Sequence, residues 1–197
     1  MPSLARFSLA ALFGLGLLSA CSSPPSPQYS DIRFNGVPAM KLDASAIDVR
    51  EPYSPPGKAP NVDHLFPVTP LHALESWAHD RLAPAGNASR AVFTILDASV
   101  VEVDLPRKTG FFSTTFTTQE SERYDMKLVA RLDLLDAKGL VVRTASVTGI
   151  RSQSVTDDIS PNKRDQVWYD MLKAAMTDFD KQMESEIRGN FGVYLKP

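Results

Sequence analysis

Three histidines, His64, His72 and His79, fall within sixteen residues and are the first candidates for metal chemistry. His72 and His79 stand seven apart, about two turns or ~10.5 Å of helix rise, whereas a zinc pair on a helix uses i, i+4. No carboxylate completes a ligand set at useful spacing, so the three read as surface or helix-edge histidines and no metal is expected. Asp97, Glu102 and Asp104 are the acids that would have to pair for general acid–base work. On an alternating strand they read instead as solvated or edge-facing charges. Asp157-Asp158 reads as a turn whose charge lies close to the next helix start. The chain has no Gly-x-Ser-x-Gly elbow and no glycine-rich phosphate loop. The expectation is a non-catalytic protein without a cofactor.

The one cysteine is the exception to this chemical silence. Arg6 supplies a positive n-region, residues 7–18 form a short apolar run, and Leu18-Ser19-Ala20 lead directly into Cys21. The run is too short to span a bilayer, which takes about 20 apolar residues, and has the layout of a secretory signal. An ordinary signal peptide would also end in small residues, and an apolar N-terminus on a cytosolic chain is a further reading. That the sole cysteine falls at this position favours something more specific, because Leu-Ser-Ala-Cys resembles the lipobox of bacterial lipoproteins. The resemblance implies cleavage before Cys21 and acylation there with palmitate-type chains. Three acyl chains, at about 0.8 kcal/mol per buried CH₂, make an anchor that holds on a cellular timescale. In proteobacterial lipoproteins an Asp after the cysteine usually retains the protein at the inner membrane; Ser22 therefore implies the outer membrane. The chain is then expected to be lipid-anchored in the envelope and to face the periplasm.

Removing residues 1–20 leaves 177, enough for one domain with a real core. Hydrophobic content of 43% and charged content of 22% are those of a globular protein. The net charge of −2 includes no basic block for a polyphosphate backbone, which argues against nucleic acid. With Cys21 acylated no thiol remains for a disulfide, a Cys metal site or a Cys nucleophile. The expected organisation is a signal peptide over 1–20, the lipidated Cys and a Pro/Ser tether over 21–30, and one domain over 31–197.

Within that domain, residues 42–49 read as a modest strand, followed by the Pro-rich loop EPYSPPGKAP. Tyr53, Val62, Leu65 and Phe66 need somewhere to pack. Thr69-Pro70 is a helix start, and Leu71, Leu74, Ala78 and Leu82 continue at helical spacing until Pro84 and Gly86. Residues 90–105 read as strand with its alternation broken near Asp97-Ala98-Ser99, as a bulge would break it. Residues 121–136 alternate cleanly, Asp136-Ala137-Lys138-Gly139 turns, and residues 140–154 return as the hairpin partner. Ser160-Pro161 opens the last helix. Its apolar face is Trp168, Leu172, Ala175, Phe179, Met183 and Ile187, and Asp170, Lys173, Thr177, Asp180, Lys181 and Glu184 are expected on its polar face. Gly189 is the expected cap, and residues 191–195 are expected to add a last strand or lie over the sheet. This order predicts an α+β fold: an antiparallel sheet of about four strands with two amphipathic helices packed on one face.

The segment GFFSTTFTT, within residues 106–120, reads as a hairpin tip or flap. Phe111, Phe112 and Phe116 there either contact a membrane, an apolar ligand or a partner, or fold back and cap the sheet. The hairpin RLDLLDAKGLVVR and the helix MLKAAMTDFDKQMESEI, behind a lipobox and a Pro-rich tether, resemble the ABC-type transport auxiliary lipoproteins. PNVDHLFPVTPLHALESWAHDRL and ILDASVVEVDL also look like uncharacterised proteobacterial envelope lipoproteins. The resemblance implies an accessory or assembly subunit that works through an envelope protein partner, with a component of a lipid or ABC-type transport system among the candidates. The alternative is a lipoprotein that binds a lipid or other apolar ligand on the sheet face and flap.

Overall fold

Alternation decides the centre of the molecule. A computed structural model describes residues 28–87, 90–106 and 119–197. In it Tyr124, Met126, Leu128, Ala130, Leu132 and Leu134 are buried on one side of β5 (Glu120–Leu135). β4 (Arg90–Asp104) and β6 (Val141–Thr156) flank it, both antiparallel. The β5–β6 turn forms as expected. Asp136 Oδ1 accepts from the backbone N–H groups of Lys138 and Leu140 at 2.8 and 2.9 Å, and Gly139 takes φ +80°. Positive φ is the conformation a side chain would strain.

The break in β4 is a bulge, and it preserves the core face. The register with β5 slips between Ile95 and Asp97, leaving Leu96 as the extra residue. Ala91, Phe93 and Ile95 point inward before it, Ala98 and Val100 after it. One inserted residue thus moves the apolar set from odd to even positions and keeps it facing the helices.

The first expected strand is two strands. β1 (Met40–Leu42) and β2 (Ala46–Arg50) belong to different sheets, separated by a tight turn in which Ala44 N–H donates to Leu42 O at 2.7 Å. β2 runs parallel to β4, so the four-stranded sheet, in the order β2-β4-β5-β6, is mixed rather than antiparallel. The cause is the connection: it holds a whole helix, and a strand reached through a helical crossover returns in the same direction. β1 lies between β3 (Leu82–Pro84), to which it is parallel, and β7 (Leu195–Lys196) in a small second sheet.

Both helices cover the same face. In α1 (Pro70–Arg81) Pro70 takes the first position and Thr69 Oγ1 accepts from His72 N–H at 3.3 Å, the expected N-cap. The helix ends at Arg81, so Leu82 leaves the helical stripe and pairs with Met40. α2 (Pro161–Phe191) runs through Gly189 and ends at Gly192. Its buried stripe adds Met171, Met176 and Phe191 to the expected residues, while Ala175 sits at the margin. Trp77 of α1 joins the layers, with its ring 5.4 Å from Phe93 of β4 and edge-on to Phe179 of α2 at 5.2 Å. A second aromatic group forms where Trp168 stacks on Phe66 at 4.9 Å and meets Tyr124 edge-on at 5.3 Å. The Pro-rich loop delivers Val62 and Phe66 to the core but leaves Leu65 exposed. No helix among the described residues is long and apolar enough to cross a membrane.

Candidate interaction surface

The residues first suspected of chemistry do not converge. His64 and His79 are exposed on the loop and on α1. His72 lies 3.5 Å from Asp31 through Nε2 and 3.5 Å from Glu75 through Nδ1. Glu75 in turn hydrogen-bonds Glu51, and that contact, with burial, holds the Glu51 carboxyl above its usual range. Among the described residues no group of three or more His, Cys, Asp or Glu is arranged to hold a metal ion. Asp97 is tied to Lys127 at 3.1 Å and caps the bulge through Ser99 N–H at 3.1 Å. The chain contains one Ser-x-x-Lys spacing, Ser160 to Lys163, which opens α2. Its lysine donates to Gln166 Oε1 at 3.2 Å.

Glu102 is set apart from Asp97. It lies opposite Tyr124 in register, near Glu122. Tyr124 OH donates to Glu122 Oε2 at 2.7 Å, and Arg164 pairs with the same carboxylate at 3.2 Å. Burial, then the negative charge of Glu122, raises the Glu102 pKa, against a smaller opposing pull from Arg164. A carboxyl whose folded pKa is raised stabilises most when protonated, and that stability is lost as pH climbs through the folded value. Glu102→Gln is therefore expected to melt higher than the parent at pH 7, with the gain gone below the ordinary carboxylate range. Thermal melts at pH 7 and near pH 4 measure this.

A larger ionic centre escaped the sequence. Asp180 and Glu184, expected on the wet side of α2, instead receive Arg81, whose side chain is only 1% exposed. Arg81 Nε donates to Asp180 Oδ1 at 2.7 Å and Nη2 to Glu184 Oε2 at 2.5 Å, while Nη1 donates to the carbonyl of Pro38. Trp77 Nε1 donates to the same Asp180 oxygen at 2.8 Å. The signal was present but faint: Trp77 and Arg81 are i, i+4 on one helix, and Asp180 and Glu184 are i, i+4 on the other. The centre clamps the two helices and is structural.

Cys21, Phe111, Phe112 and Phe116 lie outside the described residues. What the described surface does offer is β6, at the end of the four-stranded sheet. All sixteen of its residues pair inward with β5 or flank that pairing, and among the described residues no strand takes its outer side. It contains neither Lys nor Pro, the residues that commonly blunt an edge. On its outer face Ile150, 75% exposed, stands between Thr148 and Ser152. Beside it a groove of about 250 Å³ opens between β6 and α2, floored by Met126, Leu128 and Phe179 and flanked by the small residues Gly149 and Ala175. The Arg151–Asp178 pair, at 2.6 Å, stands on its rim.

An α+β domain with two helices over one face of a mixed sheet and a long free edge is the class defined so far. No known protein-family profile matches the chain, and no curated protein does. Its architecture is similar to that of a minor lipoprotein from Acinetobacter baumannii, at 11% identity and a TM-score of 0.37 over 73% of this chain and 93% of that one. A putative lipoprotein from Caulobacter crescentus aligns at 14% identity and a TM-score of 0.34, over 73% and 90% of the two chains. Rare lipoprotein B from Shewanella oneidensis aligns at 11% identity and a TM-score of 0.34, over 72% and 92%. These similar structures are proteobacterial lipoproteins.

Proposed function

We propose that this protein is a non-catalytic envelope lipoprotein, anchored through acyl chains on Cys21 and more at home on the outer than the inner membrane. It acts as an accessory or assembly subunit by binding a protein partner, with a component of a lipid or ABC-type transport system as the candidate class. The observation that carries this reading is the open sixteen-residue edge of β6. An extended partner segment added there gains main-chain hydrogen bonds along the strand, and the groove at Gly149 accepts one apolar side chain from it. Ile150 beside the groove supplies contact area that is otherwise exposed to water.

The test is photocrosslinking in cells, with a benzophenone residue at Ile150 and a control at Lys181 on the exposed side of α2. A discrete crosslinked product is expected from position 150 and none from 181. Equal, diffuse crosslinking from both positions would remove the edge from the proposal. A lipid recovered with the purified protein, and no crosslinked protein, would move the reading to an apolar-ligand binder.

A further inference from the structure

We infer that the end of the domain where α2 begins lies against the membrane surface, and that its groove holds the zwitterionic headgroup of a bilayer phospholipid. This rests on the Cys21 anchor proposed above.

The geometry starts from the first described residues. Tyr29 is pinned to the start of α2: its ring lies 5.0 Å from that of Tyr169, and its OH donates to the carbonyl of Asn162 at 3.4 Å. Tyr169 OH returns a bond to the carbonyl of Ser30 at 3.0 Å. Only seven residues, Ser22 to Gln28, separate Tyr29 from Cys21. The eight steps from Cys21 to Tyr29, fully extended at about 3.3–3.6 Å each, reach no more than about 29 Å. The opposite end of the molecule, the β5–β6 turn at Asp136 to Leu140, lies a full sixteen-residue strand away, about 50 Å at ~3.3 Å per residue. An anchor on so short a leash selects which end meets the bilayer. It is the end carrying Tyr29 and the first turns of α2.

That end has the chemistry of an interface. A groove of about 650 Å³ is lined by Tyr29, Asn162, Lys163, Gln166, Tyr169 and Asp170, among others. Tyrosines settle at headgroup depth because the ring is apolar and the hydroxyl wet. Lys163 presents one cation, held by Gln166 Oε1, and Asp170 presents an anion on the same lining, with Asp165 also close enough to act on Tyr29. A cation beside carboxylates matches a headgroup of one phosphate and one ammonium. It does not match a net anionic one, which Asp170 would repel. The partner is therefore a zwitterionic phospholipid surface.

The full-length protein in vesicles of phosphatidylethanolamine and phosphatidylcholine tests this, because an acylated Cys21 leaves an introduced cysteine as the only free thiol. A fluorophore is placed by Asn162→Cys or by Lys138→Cys, and nitroxides on the lipid headgroups quench it. Quenching at 162 is expected to exceed that at 138 by about threefold or more, since headgroup probes occupy only the thin interfacial layers outside a ~30 Å core. The charge reversal Lys163→Glu is expected to keep the order of the two positions, which the tether sets, and to lower the quenching at 162 by about twofold; unchanged quenching at 162 overturns the headgroup assignment. Equal quenching at both positions overturns the orientation, and stronger quenching at 162 in purely anionic phosphatidylglycerol vesicles overturns the zwitterionic assignment. The mass of the Cys21 peptide separates the two layers of argument. An unacylated peptide means the anchor reading has failed, whereas an acylated peptide with equal quenching means that this inference alone has failed.

Discussion

Trp77→Ala lowers the unfolding free energy by about 3–5 kcal/mol, the range for emptying a buried aromatic site. Trp77 is fully buried, and its ring is the shared contact of Phe93 in the sheet and Phe179 in α2. Both neighbours belong to long, well-paired elements, so the cavity has little freedom to collapse and the cost is expected near the top of the range. The substitution also removes the indole N–H from Asp180 Oδ1. Trp77→Phe keeps one aromatic ring but loses the indole N–H, worth about 1.5–3 kcal/mol at a charged acceptor, together with part of the ring volume, so its cost bounds the donor's share from above. Chemical denaturation measures both. A loss below about 1 kcal/mol for the alanine variant would mean that the two helices are not joined through this ring.

Arg81→Ala is expected to cost about 3–5 kcal/mol as well, because removing one partner of a buried pair strands the others. Asp180 and Glu184 keep side-chain exposures of 14% and 28%, so water relieves part of the penalty and the lower half of the range is the better expectation. Arg81→Met retains the packing of the stem and should recover a fraction of the loss, which separates charge from volume. The two sites share Asp180 and are not independent. A Trp77→Phe, Arg81→Met double variant should depart from additivity by at least about 0.5 kcal/mol in a thermodynamic cycle.

What was legible in the sequence was local. Period-two alternation over sixteen residues placed β5, and the Asp-Ala-Lys-Gly turn placed β6 beside it, because a strand and its hairpin partner are specified within a short window. Proline after Thr69 and after Ser160 marked both helix starts, since a missing N–H costs nothing there. Although Ser160 makes no side-chain cap bond, the helix still begins at Pro161. The broken pattern at Asp97 announced a bulge.

Tertiary structure decided whatever depends on partners distant in the chain. Nothing near residue 46 states that β2 will run parallel to β4; that follows from the helix lodged in the connection between them. Polar residues at the rim of an amphipathic helix look the same whether they meet water or a buried guanidinium. Asp180 and Glu184 therefore passed as a wet face until Arg81, about a hundred residues earlier, was brought against them. The free edge of β6 likewise belongs to the sheet order and not to the strand. Its Ser, Thr and single exposed Ile would read the same with a neighbour on either side. Periodicity determines which face of an element is apolar, whereas only the assembled layers determine what that face, or the edge beside it, is set to meet.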